Sequence, residues 1–406
     1  MTPDVTASGD RERSLPREPL ELTVDPEASG PALRPADGRG DILSLDFDEV
    51  DSAIASLGER PFRARQLFSW LHKRYAASVE EMSDLPRALR EKLAERFVLA
   101  PPEIDLVQPS SDGARKYKLR TADGRFVEAV YLPDEAAGRR TLCVSSQVGC
   151  AMGCTFCLTA TMGFVRHLSA GEILGEVHRV NRDLIETVGL AGPRPLTNLV
   201  FMGMGEPLHN FENLKRALQT LLSPAGPNFS SRHVTVSTSG LVPLIDRAGR
   251  ELDVKLAISL NATTDETRDA LMPINRKWNL EALLAACRRF PLKQGRRITF
   301  EYVLLDGIND SDEDARRLVR LLKGIPSKVN LIPYNESGQT GFREPPAAQV
   351  ESFRAIVDQA GITAPVRKNR GRDISAACGQ LAVLGQHRRR PAAQPGLVTP
   401  SGTGAG

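Results

Sequence analysis

Residues 142–157 read Leu142-Cys143-Val144-Ser145-Ser146-Gln147-Val148-Gly149-Cys150-Ala151-Met152-Gly153-Cys154-Thr155-Phe156-Cys157. The run Leu142–Ser145 is short and apolar, which suits a buried strand. The loop after it carries three cysteines spaced CxxxCxxC. A helical pattern follows near 169–187, and the alternation then repeats. Further strand-like runs are Leu199–Met202, Val234–Ser237, Val254–Ile258, Ile298–Leu304 and Val329–Ile332. Helical patterns lie near 211–222, 241–248, 279–290, 312–323 and 347–360. Repeated βα units predict an α/β fold with a parallel sheet. Six units suit a partial (β/α)6 barrel, with a doubly wound open sheet as the competing arrangement. Cys150, Gly205-Glu206, Ser237, Ser259 and Asn335 all fall just beyond predicted strands. A barrel gathers its active site at those C-terminal ends.

The rest of the chain divides by composition. Residues 1–41 hold six prolines, several glycines and no apolar periodicity, so they read as a disordered extension. Residues 42–103 read as a small helical domain. Phe62, Leu67, Phe68, Trp70 and Leu71 cluster within two turns, and Leu85, Leu89, Leu93 and Phe97 repeat at i+4. Pro86 fits an early helical position. Residues 104–140 read as a β-hairpin linking to the core: Lys116–Leu119 and Phe126–Leu132 are its strands and Ala122-Asp123-Gly124 its turn. The barrel with its C-terminal loop occupies 141–385, and 386–406 read as a free tail.

The chain has 406 residues, with 41% hydrophobic and 25% charged. That balance is globular. No apolar run is long enough to span a bilayer, and the N-terminus has no signal-like apolar region. The expectation is a cytoplasmic protein with no membrane partner. Net charge is +3, but residues 1–41 carry −4, which leaves +7 for the remainder. This is a mild pointer to an anionic partner such as nucleic acid.

Six cysteines are present: Cys143, Cys150, Cys154, Cys157, Cys287 and Cys378. In a reducing compartment a tight cluster signals metal or redox chemistry. A structural zinc site needs four protein ligands, and nothing at conventional spacing supplies a fourth; His167 is ten residues further on. Three cysteines can instead hold three irons of a [4Fe–4S] cluster, leaving the fourth iron open to a small molecule. Spacing alone also admits a catalytic zinc or three ordinary loop cysteines. Cys287, in Ala-Ala-Cys-Arg-Arg, reads as helix core.

The CxxxCxxC segment resembles the signature of the radical S-adenosylmethionine superfamily. Phe201-Met-Gly-Met-Gly-Glu206-Pro follows the second strand, and Glu206 is suited to a charge-assisted bond from an ammonium. The glycines there are expected to let the backbone approach a ligand. Two further segments sharpen the likeness. Leu142–Cys150 and Arg370-Gly-Arg-Asp-Ile-Ser-Ala-Ala-Cys378-Gly-Gln-Leu381 resemble hallmark stretches of dual-specificity adenine-C2 RNA methyltransferases. The likeness runs from about residue 42 to 385.

The resemblance implies methylation of adenine C2 in RNA through an S-methylcysteine intermediate. Its substrates would be one 23S rRNA adenosine at the peptidyl-transferase centre, before full ribosome assembly, and adenosine 37 of certain tRNAs. It implies one [4Fe–4S] cluster, S-adenosylmethionine and a reducing donor such as flavodoxin, acting on a monomer. Cys150, Cys154 and Cys157 match the cluster ligands. Gly205, Glu206, Ser237, Ser259, Leu260, Asn261 and Asn335 match contacts to S-adenosylmethionine. Cys378 matches the methyl-carrying cysteine, Cys143 its disulfide-forming partner and Glu128 a proton acceptor. Asn261 stands where many relatives have histidine, at a contact expected to be largely backbone.

The chemistry has a reason. Adenine C2 is electron-poor and does not attack a sulfonium methyl, so a radical route is needed. A thiolate at Cys378 suits the preceding polar methyl transfer, and release by Cys143 follows thiol–disulfide logic. A C8-directed relative and a non-catalytic iron–sulfur RNA-binding protein are the rival functions. Arg367, Lys368, Arg370 and Arg372 flank the Cys378 loop and suit RNA phosphates. Arg296, Arg297, Lys323 and Lys328 extend that patch or simply keep the surface soluble.

Overall fold

The computed structural model describes residues 38–190, 195–336, 340–367, 370–376 and 379–381. Cys378, Lys368 and the tail 386–406 lie outside them, as does all but the end of the 1–41 extension.

The core is a nine-stranded sheet whose spatial order follows the chain without interruption. We label its strands β1 (Glu103–Pro109), β2 (Arg115–Arg120), β3 (Phe126–Asp134), β4 (Arg139–Cys143), β5 (Asn198–Phe201), β6 (Val234–Thr238), β7 (Lys255–Ser259), β8 (Ile298–Leu304) and β9 (Ser327–Pro333). β4 to β9 run parallel to one another. They are the six strands that the sequence alternation predicts. Their helices are α4 (Ala170–Val188), α5 (Phe211–Leu222), α6 (Val242–Glu251), α8 (Leu280–Arg289), α9 (Asp312–Leu322) and α10 (Ala347–Gln359). An amphipathic repeat explains each. In α4, for example, Ile173, Leu174, Val177, Val180 and Leu184 are buried, and a Ser169/Glu172 capping box opens the helix.

Residues 104–140 differ from their expected role as a separate hairpin link. β1, β2 and β3 form an antiparallel extension of the barrel sheet itself. β3 pairs with β4 in register, Val130 opposite Cys143, and so hydrogen-bonds directly to the first barrel strand. Two elements lie outside the predicted alternation. One is a small hairpin, Gln147–Gly149 with Phe164–His167, that brackets the cysteine loop. The other is helix α7 (Asp265–Leu271), opened by Thr264.

The helical region has its own apolar cluster, with Ile42, Val50, Ile54, Leu67, Phe68, Leu71, Leu89 and Leu93 buried together. Its helices are α1 (Phe47–Ser56), α2 (Phe62–His72) and α3 (Arg87–Arg96). α3 is shorter than the i+4 repeat suggests. Pro86 is its N-terminal boundary, so Leu85 precedes it, and Phe97 turns into a two-residue strand with Val98. That strand pairs in parallel with Gly40–Asp41, so the helical region includes residues just before 42. The region docks on α4. His178 of α4 bonds the Ala76 carbonyl at 3.0 Å through Nε2, and its ring meets Tyr75 edge-on.

His178 is buried, and burial pushes its pKa down to about 4, with nearby Arg179 adding to the effect. Unfolding restores an ordinary imidazole near pH 6.5. The unfolded chain therefore binds the extra proton, and stability falls as pH drops from about 6.5 toward 4. His178→Gln keeps a donor but cannot take that proton. We expect the loss of melting temperature between pH 7 and pH 5 to be smaller in the variant than in wild type. Equal losses would show that His178 does not carry this proton linkage.

Candidate active site

The C-terminal ends of β5 to β9, with the loop that follows β4, open onto one cavity. Cys150, Cys154 and Cys157 form one part of its wall; Gly205, Glu206, Ser237, Ser259 and Asn261 line others. Residues separated by up to 111 positions in sequence thus share one wall because successive parallel strands end side by side.

The cysteine loop is held at both ends. Cys150 N donates to the Gly163 carbonyl at 3.0 Å and Thr155 N to the Leu271 carbonyl at 3.0 Å. A Cβ on Gly149, which has φ +72°, would stand 1.8 Å from the Gly163 oxygen, so the hairpin under the loop requires glycine. Gln147 pins the loop to the next strand end. Its Oε1 accepts from Glu206 N at 2.8 Å, and its Nε2 donates to His167 Nδ1 at 3.0 Å and His209 Nδ1 at 3.1 Å.

Glu206 is nearly fully buried. Its carboxylate accepts from Ser239 N at 2.7 Å, Ser239 Oγ at 2.8 Å and Leu208 N at 3.1 Å. Burial pushes its pKa up and these bonds oppose the rise, with burial the larger effect. The neighbouring Gly205, at φ +97°, lines the cavity and also packs closely on the chain itself, since a Cβ there would meet Gln147 Cβ at 2.5 Å.

Burial also raises all three cluster-loop thiols, and their proximity to each other raises Cys150 and Cys154 further. Behind them lies Arg268, which is completely buried. Its guanidinium donates to the carbonyls of Ser239 (2.7 Å), Ser259 (3.1 Å) and Leu260 (3.0 Å) and to Asn275 Oδ1 (3.0 Å). Burial lowers its pKa to about 10, and the nearby Cys154 counters that effect. At neutral pH it therefore remains a cation, tying the ends of β6 and β7 together beside the thiols.

The remaining sequence-predicted residues sit as follows. Asn261 adopts a left-handed φ of 57°, tolerable for asparagine, and its Oδ1 accepts from Val303 N at 2.8 Å. Leu260 is buried and does not line the cavity; Asn335 also stands outside the wall. Asn335 donates to Gln380 Oε1 at 2.6 Å and accepts from Arg372 Nε at 3.0 Å, so it holds the C-terminal segment. Cys143 ends β4 and lines a second, smaller chamber with Leu132, Val200, Met202, Arg367, Ala376 and Leu381. Met202 and Leu381 belong to both chambers. Glu128 is buried on β3, with Oε1 3.5 Å from Lys116 Nζ. Lys116 also donates to the Ser375 carbonyl at 3.4 Å. Gly379 O accepts from Leu158 N at 2.7 Å, and Leu381 O from Thr159 Oγ1 at 2.5 Å. Cys287 is core, as its helix context predicts.

Sequence reasoning missed Arg268, Gln147 and Ser239. The Thr264-Asp265-Glu266 start of α7 is a legible helix signal, and it would have placed Arg268 on a helix beside Ser259–Asn261. Nothing local announces that an arginine is buried.

Comparison with known proteins agrees with this geometry. Residues 144–319 match the Radical SAM superfamily, and residues 40–99 match the ribosomal RNA large subunit methyltransferase N-terminal domain. A dual-specificity RNA methyltransferase RlmN from Anaeromyxobacter dehalogenans is 62% identical over 88% of this chain and 96% of its own. RlmN 2 from Myxococcus xanthus is 59% identical over 85% of this chain and 91% of its own. The crystal structure of a radical SAM methyltransferase from Sphaerobacter thermophilus superposes with a TM-score of 0.79 at 45% identity, covering 84% of this chain and 99% of that one.

Arg268→Met keeps the length of the side chain and takes the guanidinium donors away from four buried acceptors. We expect a loss of about 3–5 kcal/mol, as for other buried charged groups whose partners are stranded. Urea denaturation measures it; a change below about 1 kcal/mol would mean that water replaces the guanidinium at those carbonyls.

Proposed function

We propose a mechanism that starts from one premise: the chain belongs to the RlmN family of dual-specificity RNA methyltransferases. Its activity on that reading is radical S-adenosylmethionine-dependent methylation of adenine C2 in RNA. The observation that carries it is the shared cavity of three thiols and a buried carboxylate at the ends of parallel strands.

The donor set fits a [4Fe–4S] cluster with one open iron. Cys143 belongs to the neighbouring chamber and Cys287 to a core helix, so neither supplies a fourth thiol. Cys150, Cys154 and Cys157 would ligate three irons, and their raised pKa values mean that loading must expel their protons. When bound, the cluster and S-adenosylmethionine supply a reductive carbon–sulfur cleavage strong enough to take a hydrogen atom from a methyl group.

The chain's residues supply the rest. Glu206, fixed by Ser239 and Leu208, would accept the methionyl ammonium. Ser237, Ser259 and Asn261 line the same cavity and would meet the remaining polar atoms of S-adenosylmethionine, with Gly205, Leu260 and Asn335 shaping or holding the walls. Cys378 would accept a methyl on sulfur and carry it to adenine C2, becoming joined to the RNA. Glu128 would take the C2 proton as the adduct gives up one electron, for which the oxidised cluster would serve as acceptor. Cys143 thiolate would then attack the Cys378 sulfur, forming a disulfide and freeing the product; a thiol reductant would reset the pair, and a donor such as flavodoxin would supply the electron for the reductive cleavage. Support for the pairing comes from Ala376, two residues before Cys378, which borders the Cys143 chamber. The residues after Cys378 support it too, since Gly379 and Leu381 border the main cavity.

The RNA would be 23S rRNA before ribosome assembly is complete and tRNA, in the cytoplasm, with the enzyme as a monomer. The target base must leave its stack to reach the cavity. The helical region 42–103 would read RNA shape. No helix among the described residues is long and apolar enough to cross a membrane.

Anaerobic reconstitution with iron, sulfide, reductant, S-adenosylmethionine and an RNA fragment tests the reading. We expect 5′-deoxyadenosine and methylated RNA together, and NMR of the product nucleoside should put the new methyl on C2. A C8 methyl would overturn the regiochemistry, and RNA binding without either product would favour a non-catalytic protein. Cys143→Ala should accumulate a covalent enzyme–RNA adduct on denaturing gels. Undiminished release of free product would remove its proposed role.

A further inference from the structure

The strand register places on the inner face of the barrel Lys255, which no role above uses, and Lys328, read above only as part of a basic surface patch. Lys116, Val130, Cys143, Val200, Thr235 and Lys255 are successive register partners across β2 to β7. They form one row. In the next row, two residues further along the strands, Ser237, Ala257, Thr299 and Lys328 are partners. Alternate residues of a strand face the same side. Lys255 therefore shares a face with Ser259, and Lys328 with Ile332, and both of those line the main cavity. Three strand spacings separate Lys255 from Cys143, roughly 14 Å.

Both lysines are half-buried. Neither makes a hydrogen bond or ion pair with any described residue. The cations around them are otherwise engaged. Arg139 pairs with Asp134 at 2.6 Å, Arg296 with Asp253 at 3.1 Å and Arg367 with Glu301 at 3.7 Å, while Arg297 bonds Thr363 Oγ1 at 3.2 Å. Burial and the repulsion of these neighbours lower the pKa of both ammonium groups. Glu301 offsets this at Lys328. Two ammoniums held partly out of water beside like charges destabilise the fold unless an anion joins them. Thr235 and Thr299, both buried, lie in the same two rows.

We propose that Lys255 and Lys328 form a phosphodiester-binding site on the inner face of the barrel, which holds the RNA backbone flanking the target adenosine. This rests on the reading of the chain as an RNA methyltransferase. Lysine meets phosphate as a point charge and adds no base preference, so the site positions the strand and does not choose its sequence. Its place in the Cys143 row sets the strand against the chamber where methyl transfer ends.

The test uses the full-length protein and an RNA hairpin carrying the target adenosine. Binding is measured by fluorescence anisotropy at several salt concentrations, for wild type, Lys255→Gln/Lys328→Gln and the charge-keeping Lys255→Arg/Lys328→Arg. The Gln pair should bind about tenfold or more weakly, and its log K versus log salt slope should be shallower by about 1.4, two single-strand phosphates' worth. The Arg pair should keep the wild-type slope. In parallel, RNA should protect both lysines of wild type from an amine-acetylating reagent, read by mass spectrometry. That arm stands even if the Gln pair fails to fold. A folded Gln pair with wild-type affinity and slope, or full acetylation under saturating RNA, overturns the site. Protection by millimolar inorganic phosphate as complete as by RNA overturns its assignment to the RNA backbone. A wild-type protein that methylates RNA while both lysines stay reactive sinks this inference alone; one that neither binds nor methylates RNA sinks the functional reading beneath it.

Discussion

The structure depends on keeping acidic groups together inside the protein. Three thiols and the Glu206 carboxylate line one cavity, and burial makes all four reluctant to ionise. The fold answers with directed hydrogen bonds and one buried cation. Ser239 and Leu208 bond the carboxylate, and Arg268 stands close enough to Cys154 for each to favour the other's charge. Such a cavity is tolerable without a bound cation only while protons remain on it. On the function proposed above, a cluster would replace the thiol protons with iron and an ammonium would meet Glu206.

Rigidity comes from the segment between β4 and the cysteine loop. Ser145 donates to the Glu128 carbonyl at 2.7 Å and accepts from Met204 N at 2.8 Å through one hydroxyl. Its own backbone N is bound by Glu176 at 3.0 Å, and burial drives that carboxyl toward its protonated form. Gln147 then joins the Gly205-Glu206 turn to two histidines. Ser145 and Gln147 thus connect β3, α4 and the turn after β5 at the base of the cysteine loop. A shift in either would be transmitted to the cavity wall, since these bonds are buried and no water can take their place.

Much of this was legible in the residues. The six βα units, the position of Cys150, Cys154 and Cys157 after the first strand, and the turn at Glu206 all follow from periodicity and spacing. The antiparallel extension was only half legible. Lys116–Leu119 and Phe126–Leu132 read as strands, but a local pattern cannot say which sheet a strand joins. The α3 boundary misled for a similar reason: Leu85 and Phe97 continue the i+4 series, while Pro86 and the pairing of Phe97 with Gly40 end the helix. Tertiary pairing outweighed helical periodicity there.

By itself the sequence determined the alternation of strands and helices and the spacing of the thiols, because both are local properties of side-chain type along the chain. It also carried the motifs by which the family is recognised. Only the tertiary structure decided which residues face inward together. Register put Cys143 and Lys255 in one row, gave Glu206 its partner in Ser239, and buried Arg268 behind Cys154. The reason is physical: hydrogen-bond register and burial are set by strands that meet only after the chain has folded, and no window of sequence contains both sides of such a contact.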